Sequence, residues 1–201
     1  MKKIVIASKN KGKIKEFETL FQTFDVEILS LLDFPEAVDV EETGTTFEAN
    51  ARLKAEEIAR VYQCVAIADD SGLVVDALDG RPGVYSARFA GGQKNDKENI
   101  KKVLQELEGV PAEQRTAHFT CVLAISCPQR PTRFVSGECQ GIITEKPSGS
   151  SGFGYDPIFY VPEYKKTFAE ISAEEKNEIS HRAQAMKKLK DIWPEIEKEF
   201  F

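Results

Sequence analysis

Ile67-Ala68-Asp69-Asp70-Ser71-Gly72-Leu73 joins an apolar run to two adjacent acids, a hydroxyl and a glycine. The run from Cys64 to Ala68 predicts a buried strand. A strand that delivers carboxylates at its end is a common way to build a metal or general-base site. Side chains alternate along a strand, so Asp69 and Asp70 are expected on opposite faces, and at most one of them faces a given cleft directly. Asp, Ser and Gly also suit an ordinary turn, and taken alone the stretch serves either reading. Other polar clusters along the chain tip it towards a site.

Upstream, Lys3 to Ser8 reads as a strand, Ser8-Lys9-Asn10-Lys11-Gly12-Lys13 as a polar turn, and Ile14, Phe17, Leu20, Phe21 and Phe24 as the apolar face of a helix. Lysines at a helix start oppose the helix dipole, and a phosphate held by the free N–H groups would relieve the conflict. A solvated lysine-rich turn is the plain alternative, and the loop lacks the G-x-x-x-x-G-K-[ST] pattern. Val26 to Ser30 reads as a second strand and Asp33 to Val40 as a connection. Thr45-x-x-Glu48 reads as a capping box opening a helix to about Tyr62, with Phe47, Ala51, Ile58 and Tyr62 on one face. Glu41 and Glu42 precede it, either to favour the dipole or to help hold a divalent cation.

Downstream, Leu73 to Leu78 predicts a further strand, with a tight turn at Asp79-Gly80. Arg81 and Arg88 bracket a glycine-containing loop that would meet an anion, a partner chain or solvent. Asn95 or Asp96 caps a helix carrying Ile100, Val103, Leu104 and Leu107, ended by Gly109 and Pro111. Thr116 to Cys127 and Arg133 to Ile143 predict long strands joined as a hairpin through Pro128 to Pro131, so the sheet is expected to be mixed. In the loop Ser148 to Pro157, glycines permit close backbone approach, and Phe153 and Tyr155 offer faces on which a base could stack. Ile158 to Val161 resumes a strand. Ser172-x-x-Glu175 is a second capping box, followed by Lys176. Ser180 then caps a helix with Ala185, Met186, Leu189 and Ile192, placing His181 and Arg182 in its first turn.

The 201 residues suffice for one domain with a substantial core. A hydrophobic share of 41% and a charged share of 30% are those of a soluble globular protein. A net charge of −6 argues against nonspecific nucleic-acid binding. Cys64, Cys121, Cys127 and Cys139 form no C-x-x-C pair and read as reduced thiols of a cytoplasmic protein. The apolar run after Met1 is too short for a signal peptide, and no stretch is long enough to span a membrane. Carboxylates for a metal, two cation-bearing helix starts for phosphates and an aromatic glycine loop for a flat group together describe a metal-dependent nucleotide hydrolase.

Six stretches in order carry a resemblance: Ser8 to Lys13, Glu41-Glu42-Thr43-Gly44, Ala68 to Leu73, Gly83-Val84-Tyr85-Ser86-Ala87-Arg88, Phe153-Gly154-Tyr155-Asp156-Pro157 and Ser180-His181-Arg182. Over essentially its whole length the chain resembles the Ham1/RdgB family of inosine/xanthosine triphosphate pyrophosphatases. It departs at Ser8-Lys9-Asn10, where many members carry Thr-Gly-Asn; Asn10 and Lys13 match. The resemblance implies an α/β fold with a long twisted mixed sheet flanked by helices, two lobes around a central cleft, and a homodimer. It implies Mg²⁺-dependent hydrolysis of ITP, dITP and XTP to the monophosphate and pyrophosphate. Carried over, Asp70 would be the general base, and Glu41 with Asp70 the metal ligands. Ser8, Lys9, Asn10, Lys11, Gly12, Lys13 and Ser71 would hold phosphates and sugar, and Phe153, Gly154, Tyr155, Asp156, Lys176, His181 and Arg182 would complete the substrate site. The alternatives are a Maf-like pyrophosphatase with another base preference and a non-catalytic nucleotide-binding regulator.

Overall fold

The computed structural model describes residues 2–34, 36 and 40–201. Pro35 and residues 37–39 of the expected connection lie outside the described residues. The chain divides into two compact units, in keeping with the two lobes expected. One comprises Met1–Asp70, Val122–Ser136 and Ala185–Phe201; the other comprises Ser71–Cys121 and Gly137–Gln184.

The first unit begins β1 (Lys2–Ile6), α1 (Lys11–Phe21), β2 (Val26–Ser30), α2 (Phe47–Tyr62), and then enters β3 (Val65–Val75). β1 pairs in parallel with both β2 and β3. Right-handed crossovers to the two sides of β1 put α1 and α2 on opposite faces. Ala66 packs with Ile58 and Ala59 of α2, and Ala68 with Ala51 and Ala55. Alternation therefore gives Asp70 the α2 face and Asp69 the α1 face. α1 buries Ile14, Phe17 and Phe21, and the Phe21 ring meets that of buried Trp193 edge-on at 4.6 Å. Phe24, expected on the helix, lies beyond its end but packs 5.9 Å from the same tryptophan.

In the second unit β3 continues, followed by α3 (Asp96–Glu106), β4 (Thr116–Ser126), β5 (Arg133–Ile143), β6 (Phe159–Val161), β7 (Lys166–Thr167), α4 (Ala173–Ile179) and α5 (His181–Phe200). β3, β4, β5 and α5 each run from one unit into the other. The seven strands lie in the order β2-β1-β3-β4-β5-β6-β7, parallel at one end and antiparallel in the β5–β6 and β6–β7 pairs. The sheet is thus mixed, as the long hairpin predicted. Leu73, Val75, Ile100 and Val103 join Phe119, Phe159 and Phe168 in this unit's core.

Three local expectations are corrected. β3 does not stop at Ala68, and 73–78 is not a separate strand: one strand of 11 residues carries both acids inside it. Each acid meets an ammonium group, so the carboxylates are compatible with a buried strand. The chain leaves β3 in a 3-10 turn at Asp76–Leu78, closed by Asp79 and Gly80 at φ 53° and 80°. The cap of α2 is Thr46, whose hydroxyl accepts from Ala49 N–H at 3.1 Å. Thr45 and Glu48 form no capping box, because the helix begins one residue later than that pattern requires; Glu48 pairs with Arg52 instead. The Ser172–Glu175 box is present with both of its hydrogen bonds.

Candidate active site

Asn10 caps α1, its Oδ1 accepting from Lys13 N–H at 3.1 Å, so Lys11, Gly12 and Lys13 form a first turn with no acid in it. Ser8 Oγ accepts from Asn10 N–H and holds the loop. Lys13 Nζ spans the Asp69 carboxylate, 2.9 Å from Oδ1 and 2.7 Å from Oδ2. From α2, Lys54 Nζ donates to Asp69 O at 2.7 Å and to Glu42 Oε1 at 2.6 Å, and stands 3.6 Å from Asp70 Oδ1. Neighbouring acids in the strand thus take cations from different helices, which bears out their opposite facing.

Asp70 is 8% exposed. Burial pushes its pKa up to about 6; Lys54 pulls against this, and Glu42 adds to it. Asp70 Oδ2 is buried without a hydrogen-bond partner among the described residues. Lys54 is pulled down by its own burial, but Asp70, Asp69 and Glu42 outweigh this and keep it above the ordinary ammonium value. A charged lysine beside a carboxylate that titrates near neutrality is the environment of a general base.

In the second unit the loop before β6 is fixed by its own polar groups. Asp156 Oδ2 accepts from Phe153 N–H at 2.9 Å and from the Lys176 ammonium. Gly152 has φ +78°, and a Cβ there would stand 2.0 Å from Asp156 Oδ2, so only glycine fits. Gly154 N–H donates to Asp96 Oδ2 at 2.8 Å, and the Tyr155 hydroxyl to Ser86 O at 2.8 Å. Phe153 is left 61% exposed, with Lys176 Nζ 5.0 Å from its ring centroid. Ser180 Oγ caps α5 by accepting from Ala183 N–H. His181 and Arg182 occupy the first turn, as expected, and both are buried there; the His181 ring stacks on Phe119 at 4.9 Å.

The structure brings Ser8, Asn10, Gly12 and Lys13 together at one helix start and joins Lys13 to Asp69, while Lys9 and Lys11 are exposed. Ser71 continues β3 directly after Asp70. Glu41 is exposed, whereas Glu42 is the acid that reaches Lys54 and acts on Asp70. The site residues that sequence reasoning passed over are Lys54, Asn50, Asp96 and Ser86. A signal for the first two was present: Asn50 and Lys54, four residues apart, share the face of α2 that carries Ala51 and Ala55, so polar side chains interrupt a small apolar stripe. The four cysteines are free; burial pushes Cys64 and Cys139 up to about 11, which disfavours the thiolate.

A carboxylate held half-compensated weakens a fold and persists where chemistry uses it. With a lysine-bearing helix start joined to the neighbouring Asp69, this is an arrangement suited to an α/β enzyme of phosphate chemistry. The chain belongs to the Ham1 family, whose model matches residues 4–192. A dITP/XTP pyrophosphatase of Geobacillus kaustophilus is 61% identical over 196 residues, spanning 98% of this chain and 96% of that protein. One of Bacillus cereus is 56% identical over 197 residues, spanning 97% and 96%. Among solved structures, the Ham1 protein of Staphylococcus aureus superposes with a TM-score of 0.91 at 46% identity, covering 97% of this chain and 100% of that one. A HAM1 protein from Coxiella burnetii gives 0.92 at 42%, with the same coverage.

Proposed function

We infer that this protein hydrolyses deaminated purine nucleoside triphosphates (dITP, ITP and XTP) to the monophosphate and pyrophosphate, clearing them from the nucleotide pool. Its relatives at 55–61% identity are dITP/XTP pyrophosphatases. The observation that carries the chemistry is Asp70: buried, raised to about 6, and with one oxygen unpartnered. In this reading Asp70 takes a proton from water as the water oxygen bonds to the α-phosphorus. The bond from the α-phosphorus to the bridging oxygen breaks, and pyrophosphate leaves with the electron pair. Lys13 and the loop 8–12 hold phosphate oxygens, with Ser71 beside the base. Phe153 stacks on the purine, and Gly154, Tyr155, Asp156 and Lys176 shape the pocket around it.

A divalent cation, Mg²⁺, fits the donor set. Among the described residues no group of three or more His, Cys, Asp or Glu side chains could form a protein cage. Mg²⁺ keeps several waters and is held through one or two carboxylates together with substrate phosphates. Asp70 Oδ2 is an unsatisfied buried acceptor, and an acid from the preceding segment, Glu41 or Glu42, would complete the pair. When bound, the ion neutralises triphosphate charge and lowers the pKa of a bound water.

Base selection falls to His181 and Arg182. Hypoxanthine and xanthine carry a carbonyl at C6, where adenine carries an amino group, and an arginine can only donate. A donor aimed at C6 is left unpaired by adenine, a mismatch worth up to about 10⁴–10⁵ in discrimination. We place the enzyme in the cytoplasm as one functional domain acting as a homodimer on a small-molecule substrate, without nucleic acid. Among the described residues no helix is long and apolar enough to cross a membrane. The test is kcat/KM for dITP, ITP, XTP, GTP and ATP with Mg²⁺, in wild type and Arg182→Ala. Preference for the deaminated purines supports the reading, and GTP turned over as fast as ITP removes the selectivity. Tight binding without turnover would turn the protein into a regulator.

A further inference from the structure

Asn50 lies on the inner face of α2 with 0% of its surface exposed. A buried primary amide is tolerated where its donors and acceptor are matched. Its oxygen is matched: Gly44 N–H donates to Asn50 Oδ1 at 2.8 Å. The approach requires glycine, since a Cβ at position 44 would stand 2.7 Å from that oxygen and 2.8 Å from Ala49 Cβ. Its nitrogen is not matched: Asn50 Nδ2 is buried without a partner among the described residues, and so is Asp70 Oδ2. The two orphans are complementary, one a donor and one an acceptor, and both sit on the face shared by α2 and β3. Asn50 lies one turn before Lys54, whose Nζ stands 3.6 Å from Asp70 Oδ1, and its neighbour Ala51 packs on Ala68, two residues before Asp70 on the same face of β3. Catalytic hydrogen bonds are often long in free enzymes and tighten once substrate is bound.

We propose that Asn50 is a positioning residue that serves both halves of the acidic site. Its oxygen fixes the segment 41–44 that carries the two glutamates, and its N–H orients the Asp70 carboxylate for proton transfer. This also gives a reason for a polar residue in a stripe of alanines: an apolar side chain there would release the segment and leave Asp70 free to rotate. The inference rests on Asp70 being the base.

Two variants separate the roles. Asn50→Asp keeps an acceptor for Gly44 N–H and removes the donor facing Asp70. Asn50→Ala removes both, and alanine suits a helix interior, so this variant stays informative if the first does not fold. The measurements are kcat and KM for dITP with Mg²⁺, and amide hydrogen exchange across 41–44, with Asp70→Asn assayed alongside. Asn50→Asp is expected to keep the Gly44 amide protected, to change KM little, and to lower kcat roughly 10- to 100-fold, the scale of a small misplacement of a reacting group. Asn50→Ala is expected to lose both the protection and the rate. A wild-type kcat in either folded variant, with Asp70→Asn inactive, overturns the role of Asn50 alone. Near-normal turnover in Asp70→Asn removes the base assignment, and this proposal with it.

Discussion

Asp70 and Asp156 are both buried aspartates facing a lysine, one in each unit. Asp156 Oδ2 accepts from a backbone N–H and from Lys176, and the loop folds around that carboxylate. Asp70 stands 3.6 Å from Lys54, keeps one oxygen unpartnered, and is raised to about 6. The difference lies in what the surroundings supply. Asp156 Oδ2 is held by two donors of the elements it organises, and the loop leaves an aromatic ring, Phe153, facing outward. Asp70 shares its lysine with Glu42 and with Asp69 O, so its charge is only partly offset. A carboxylate held by two donors builds a rigid recognition surface; an under-compensated one is available for a proton or a cation.

The sharpest way to break this contrast is to neutralise each aspartate. Asp70→Asn should lower kcat for dITP by about 10²–10⁴, the worth of a positioned general base, while Asp69→Asn should cost less. The same Asp70→Asn change should stabilise the metal-free protein. With a folded pKa of about 6 against an ordinary 3.8, ionised Asp70 weakens the fold. That loss is absent below the ordinary value, grows as pH rises towards the folded value, and is constant above it. At neutral pH it is of order 2–3 kcal/mol, so thermal melts should show the variant roughly 4–12 °C above wild type, with the gap closing below pH 4.

Asp156→Asn should do the reverse. It leaves Lys176 without its anion, and breaking a buried pair of this kind costs about 3 kcal/mol, so Tm should fall and KM should rise more than kcat drops. If both aspartate variants move Tm in the same direction, the contrast is wrong. A smaller effect is expected at Lys13→Ala, which should weaken triphosphate binding roughly 10-fold, and more than monophosphate binding, through loss of one charge-assisted contact. Equal weakening of the two ligands by equilibrium titration would move Lys13 off the terminal phosphates. The smallest effect on the fold is expected at Phe153→Ala. An exposed ring contributes within about 0.5 kcal/mol of stability, whereas loss of one stacking platform should raise KM about 5- to 10-fold. An unchanged KM would leave the aromatic loop without a recognition role.

Much of this was legible along the chain. The helix start at Ser180, the Ser172–Glu175 box and the long strand pair depend on neighbours within a few residues, and local spacing reports them faithfully, whereas the stretch read as a turn over 8–13 gives Lys11, Gly12 and Lys13 to α1 because Asn10 caps the helix there. The alternation of Asp69 and Asp70 followed from strand geometry alone. The reading of β3 as two strands failed for a non-local reason: two adjacent acids look like a terminus until lysines 56 and 16 residues away in sequence are seen to meet them.

Sequence by itself determined the parts: which helix ends carry cations, which strand carries carboxylates, and which loop carries aromatics between glycines. Tertiary structure decided their chemical state. Whether Asp70 titrates near 4 or near 6 depends on burial and on how Lys54 divides its charge among Glu42, Asp69 and Asp70. Whether Asp156 binds or braces depends on Lys176 and on the close approach allowed at Gly152. Residue type and local period are written in order along the chain, whereas dielectric environment and pairing are set by residues far apart in sequence that only the folded chain brings together.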